Sequence, residues 1–82
     1  MQDRIQVFSK QACEKEANVK EYTFQGKTVF VFNPGICLAD ASSEVIDTDC
    51  KTIGYLGGLM GTNAINGEDF SHAIFLKTVW ER

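Results

Sequence analysis

The chain has 82 residues, a formal net charge of −3, 44% hydrophobic and 23% charged residues. That balance supports one thin core and excludes a disordered tail, and the longest apolar run is too short and interrupted for a membrane-spanning helix. Acidic residues gather between 34 and 69, where Asp40, Glu44, Asp47, Asp49, Glu68 and Asp69 face Lys51 alone; this excludes a nucleic-acid binder, whose phosphates require clustered Lys and Arg.

In chain order, Met1-Gln2-Asp3-Arg4 is followed by no apolar stretch, so it does not read as a secretory leader. Asp3 to Lys10 predicts a short helix, with Ile5 and Phe8 three apart on one face. Glu14 to Asn18 is polar and predicts a loop. Val19 to Gln25 alternates, with Tyr22 and Phe24 opposite Glu21 and Thr23. Thr28 to Phe32 consists of strong strand formers. Gln25-Gly26 between them supplies the positive φ of a tight hairpin turn. The second strand is apolar on both faces, which predicts a central position with the helix over one face.

Asn33-Pro34-Gly35 ends that strand, and residues 37–43 read as a loop. Glu44 to Asp47 predicts a third, short strand. Asp49 predicts a cap for a helical turn from Cys50 to Tyr55, stopped at Gly57-Gly58. Gly57 to Gly67 predicts an irregular loop in which Leu59, Met60 and Ile65 plug into the body. Ala73 to Glu81 predicts the last strand, with Ile74, Leu76, Thr78 and Trp80 alternating with Phe75, Lys77 and Val79. The sum is a single α+β domain over residues 1–82: a small, mostly antiparallel sheet with one N-terminal helix packed on it, stabilised by a disulfide.

There are three cysteines, an odd number. A strand over 44–47 separates Cys37 from Cys50 by roughly 10 Å or more at about 3.3 Å per residue, whereas a bridge needs Cα atoms within about 7 Å. Cys13 precedes the first hairpin strand and Cys37 follows the second, and those ends are neighbours in an antiparallel pair. The expected bridge is therefore Cys13–Cys37, leaving Cys50 as a free thiol near the start of the helix. An inert, buried thiol is the reading that needs no partner; a reactive one would need an activating base that the sequence does not offer. This cysteine content sets the expectation of an exported, extracytoplasmic domain, with Met1 standing where the natural chain continues.

The run Glu21 to Phe32, then Cys37, then Glu44-Val45-Ile46-Asp47-Thr48-Asp49-Cys50, then Leu56-Gly57-Gly58, resembles a family of small uncharacterised exported proteins or lipoproteins of Bacteroidetes-type bacteria. The resemblance spans about residues 3–82. It implies export, in the periplasm or lipid-anchored at the cell surface, and a disulfide-built fold; it implies no activity. Members often carry cysteines upstream of the first helix and at the positions of Gly54 and about Ile65. This chain has none there, which reads as one deleted pair and one missing mate for Cys50.

Several chemistries can be weighed on their residues. Glu44 to Cys50 faintly resembles the strand–turn–Cys segment of Kazal-type protease inhibitors. In that alternative the loop 34–43 is the inhibitory segment, with Pro34, Gly35, Ile36 and Leu38 facing a protein partner and Cys37 as anchor. The full cysteine spacing of that family is missing. A calcium loop would require a third alternate oxygen ligand and a following Gly, but Lys51 stands in the third place. His72 is the single histidine and has no second zinc ligand nearby in sequence. The Gly-rich stretch 57–67 lacks the Lys-Ser/Thr ending of a phosphate cradle. The expectation is a non-enzymatic binding or structural module with no cofactor. Tyr22, Phe24, Phe30, Phe32, Phe75 and Trp80 read as core, but any of them left in the open would mark a partner surface.

Overall fold

The computed structural model describes residues 2–12, 16–35, 42–57 and 63–81. Its elements are α1 (Gln2–Gln11), β1 (Asn18–Phe24), β2 (Lys27–Asn33), β3 (Ser42–Ile46), β4 (Thr52–Gly57), β5 (Ala64–Ile65), β6 (Glu68–Asp69), a 3₁₀ turn (Phe70–His72) and β7 (Ile74–Glu81). Five strands form one antiparallel sheet in the order β4-β3-β2-β1-β7, and β5 and β6 form a separate ribbon. One helix with a mostly antiparallel sheet is the α+β class expected.

The β1–β2 hairpin turns on Gln25 and Gly26, whose φ values of 54° and 75° are both positive. A two-residue turn of this kind matches the right-handed twist of the strands it joins. β2 is the middle strand of the sheet, and its two apolar faces have separate coverings. On one face Val19, Phe32 and Ile46 are buried beneath Ile5 and Phe8 of α1, with Trp80 at the border. Phe8 meets Phe32 edge-on at 5.1 Å between ring centroids and Trp80 at 5.9 Å. On the other face Phe24, Val29, Val31 and Val45 are buried with Ile65, flanked by Ile53, Leu56 and Phe70. The sheet is thus packed between α1 and the segment 64–73.

The helical turn expected over Cys50–Tyr55 is absent; those residues belong to the β3–β4 hairpin and to strand β4 itself. Asp47, not Asp49, organises the turn. Its Oδ1 accepts from the Asp49 and Lys51 amides at 2.9 and 3.0 Å. The Asp47 amide donates to the Lys51 carbonyl at 3.0 Å, which returns the chain antiparallel. Cys50 sits at φ 62° in that turn. Thr52 and Ile53 are β-branched and Gly54 follows, a run that loses free energy in a helix and fits a strand.

The irregular loop expected over 57–67 is also partly ordered. Asn66 and Gly67, at φ 52° and 81°, make a second tight turn between β5 and β6. The Asn-Gly dipeptide carries that signal, but its flanks are too short to read as strands. Ile65 is buried as expected, 1% exposed; Leu59 and Met60 lie outside the described residues.

Candidate functional site: an apolar sheet edge

β7 closes one side of the sheet by pairing with β1, and among the described residues no strand pairs with its outer edge. Along this edge Ile74, Phe75, Leu76 and Val79 are 63%, 52%, 48% and 36% exposed. An eight-residue apolar strand is therefore anchored on one side and open to solvent on the other.

The register explains why so much of β7 stays in water. Trp80 lies across from Val19, Thr78 from Lys20, Lys77 from Glu21, Phe75 from Tyr22 and Ile74 from Thr23. Two register shifts leave Leu76 and Val79 without a β1 residue opposite. Each shift interrupts the alternation of faces. The sequence pattern put Thr78 and Trp80 on one face; in the structure they sit across from successive β1 residues and so fall on opposite faces. Trp80 reaches the helix-side core, and Phe75 turns to the other face, where its ring meets Tyr22 at 5.6 Å between centroids. Lys20 Nζ lies 5.9 Å from the centre of the Phe75 ring, and Lys77 Nζ lies 4.0 Å from Glu21 Oε1. Two lysine stems thus border the exposed apolar strand.

A second feature lies between α1 and the sheet. Arg4 Nη2 pairs with Glu44 Oε1 at 2.9 Å, and Thr52 Oγ1 donates to Glu44 Oε2. The guanidinium also sits 5.7 Å above the Phe32 ring. The depression beside it, about 290 Å³, is lined by Arg4, Val7, Phe8, Phe32 and Glu44. Arg4 and Glu44 pair with each other at its rim.

His72 is exposed in the 3₁₀ turn just ahead of β7, and its Nδ1 lies 3.2 Å from Glu68 Oε2. Asp69 caps that turn by accepting from the Ser71 amide at 2.9 Å. This hydrogen bond, helped by the Ser71 side chain, holds the Asp69 carboxyl below its usual range. Among the described residues no group of three His, Cys, Asp or Glu side chains could hold a metal ion, and no helix is long and apolar enough to cross a membrane.

Of the residues singled out in the sequence, Cys13, Ile36, Cys37 and Leu38 lie outside the described residues. Pro34 and Gly35 are half-buried at the end of β2, where Asn33 Oδ1 accepts from the Gly35 amide at 2.9 Å. Cys50 is a half-buried free thiol packed beside the helix-side core. The structure brings none of these described residues to β7. The exposed edge was missed because regular alternation predicted one buried face for this strand; no local signal for the register shifts stands in the sequence.

No curated protein and no solved structure matches the chain. Residues 6–82 match the family profile described as Domain of unknown function (DUF6970), and the chain belongs to that family.

Proposed function

We propose that the chain is a non-enzymatic binding module that works outside the cytoplasm and docks a protein partner along the outer edge of β7. One observation carries this reading: Ile74, Phe75, Leu76 and Val79 stand in solvent on a strand whose outer backbone groups lack a sheet partner among the described residues. Unpaired N–H and C=O groups give an incoming strand its affinity, and the flanking side chains give it selectivity.

The extracytoplasmic assignment rests on cysteine usage and on a bridge between Cys13 and Cys37. Its support is topological. Asn18 lies across from Asn33, so the chain enters β1 and leaves β2 at the same end of the sheet. Residues 16–17 lead into that end and residues 34–35 lead out of it. A non-reducing peptide map with thiol labelling tests it: a linked 13–37 pair with Cys50 labelled is expected, and three labelled thiols would remove the export argument.

The docking reading is tested with a photoreactive residue in place of Phe75 in cells that export the chain. A discrete cross-linked species that disappears when Leu76→Glu is added is expected. Absence of any adduct, or an adduct indifferent to Leu76→Glu, would overturn it.

A further inference from the structure

We propose that Asn66 is a site of covalent modification: the backbone nitrogen of Gly67 deamidates its side chain, and the isoaspartate that results releases the β5–β6 ribbon from the sheet.

The reaction is intramolecular, so the residue after the asparagine decides where it runs. That residue must offer a backbone N–H, and its side chain must not obstruct the approach to the amide carbon. Asparagine stands at positions 18, 33, 63 and 66. Pro34 follows Asn33 and has no N–H to offer. Val19 follows Asn18; it is β-branched and fully buried in β1. Ala64 follows Asn63, whose main-chain carbonyl accepts from the Phe70 amide at 2.8 Å and so restrains that residue. Asn66 is followed by Gly67, which has no side chain at all.

The surroundings of this pair leave it open to reaction. Asn66 and Gly67 are both exposed. A Cβ built on Gly67 would meet nothing within 4 Å, so the space around the attacking nitrogen is clear. The ladder pairs Ala64 with Asp69 and Ile65 with Glu68, and Asn66 and Gly67 are the two residues outside it. Among the described residues no hydrogen bond holds the Gly67 amide or the Asn66 side chain. A hairpin with two residues on each side is marginal by itself, so its turn can open for the main-chain rotation that ring closure needs.

The atoms balance with water as co-reactant. Gly67 N gives its proton to solvent and attacks Asn66 Cγ. The new C–N bond closes a succinimide ring, and the side-chain nitrogen takes up a proton and leaves as ammonia. Water then opens the ring. Addition at the side-chain carbonyl breaks the new bond and gives aspartate. Addition at the main-chain carbonyl breaks the original peptide bond and gives isoaspartate, whose main chain runs through the former side-chain carbon.

The two products differ in consequence. Aspartate keeps the turn, because Asp-Gly suits two successive positive φ values as Asn-Gly does. Isoaspartate lengthens the main chain by a methylene, and the turn built on φ values of 52° and 81° no longer joins β5 to β6. That ribbon carries Ile65, which is buried against Phe24, Val29, Val31 and Val45. Both products place a new carboxylate in the depression that Asn66 lines with Lys27 and Asp47.

The test keeps the full chain folded in mildly alkaline buffer under reducing conditions and maps its digest by mass over time. A gain of about 1 Da confined to the peptide containing residue 66 is expected, with one added negative charge and a split into aspartate and isoaspartate forms. Asn66→Gly, which still accepts a positive φ, is expected to abolish the gain. The isolated isoaspartate form is expected to unfold at lower urea than the parent, whereas Asn66→Asp keeps the parent's midpoint. No gain at residue 66, an equal gain at Asn63, or a gain that survives Asn66→Gly would overturn the proposal. So would an isoaspartate form as stable as the parent, or an Asn66→Asp chain weakened as much as that form.

Discussion

Gly54 offers the sharpest test of the packing that holds the segment 64–73 against the sheet. A Cβ built on Gly54 would lie 2.6 Å from Ile65 Cδ1, with Ile65 Cγ2 and Cγ1 next at 3.7 and 3.8 Å. The first distance is a clash; the others are ordinary contacts. Ile65 is 1% exposed among Phe24, Val29, Val31 and Val45, so its terminal methyl has little room to turn away. Overpacking of this kind costs about 1–3 kcal/mol. Alanine recovers about 0.5–1 kcal/mol because glycine loses more chain entropy in a strand. The net expectation for Gly54→Ala is a loss of about 1–2 kcal/mol, read as a drop of roughly 1–2 M in the urea midpoint at about 1 kcal/mol/M.

Ile65→Val removes the clashing methyl, and alone it costs about 0.5–1.5 kcal/mol. In the double variant the new alanine methyl occupies the vacated space. The two changes should therefore couple favourably by about 1 kcal/mol or more, well outside the additivity expected of independent sites. The assay is urea denaturation of the four proteins of the cycle, followed by tryptophan fluorescence of Trp80. A Gly54→Ala chain as stable as the parent, or a strictly additive double variant, would show that Gly54 and Ile65 do not pack as described.

Three other outcomes check the remaining elements. Ile46→Ala, at a fully buried position, should cost about 2–5 kcal/mol, whereas Ile74→Ala, at 63% exposure, should shift stability by less than about 0.5 kcal/mol; equal losses would place β7 in the core. Gly26→Ala forces a Cβ into φ 75° and should cost about 1–2 kcal/mol in thermal or chemical melts; no loss would mean the turn has another shape. Asp69, held down by Ser71, should titrate below its ordinary 3.8 when its carboxyl is followed by NMR. A group with a lowered folded pKa stabilises above its unfolded pKa and loses that contribution as pH falls through the folded one, so the 3₁₀ turn before β7 should loosen only in acid; a midpoint at or above 3.8 would dismiss the cap.

What could be read from the residues follows the range of the forces involved. The helix, the Gln25-Gly26 hairpin and the last strand rest on short-range patterns, and those patterns are strong. The two faces of β2 were legible because Val29 and Val31 alternate with Phe30 and Phe32. β4 was not, since Asp49 looks like a helix cap in isolation; only the hydrogen bonds from Asp47 across the turn show that the chain doubles back. The β5–β6 ribbon is set by long-range packing of Ile65 across the sheet. That contact also gives Gly54 and Ile65 a common neighbourhood.

The position of the candidate site follows from the same division. An open face on the sheet would have been the simplest route to a partner surface, but α1 and the segment 64–73 cover both faces. Exposure is displaced from the faces to the edge. There Phe75 and Trp80 stand on opposite sides, and the register shifts leave Leu76 and Val79 without β1 partners. A regular strand of the same composition would bury one side on the core and show water the other. β7 shows apolar side chains from several directions and holds an open backbone edge, a combination that burial within one copy does not satisfy.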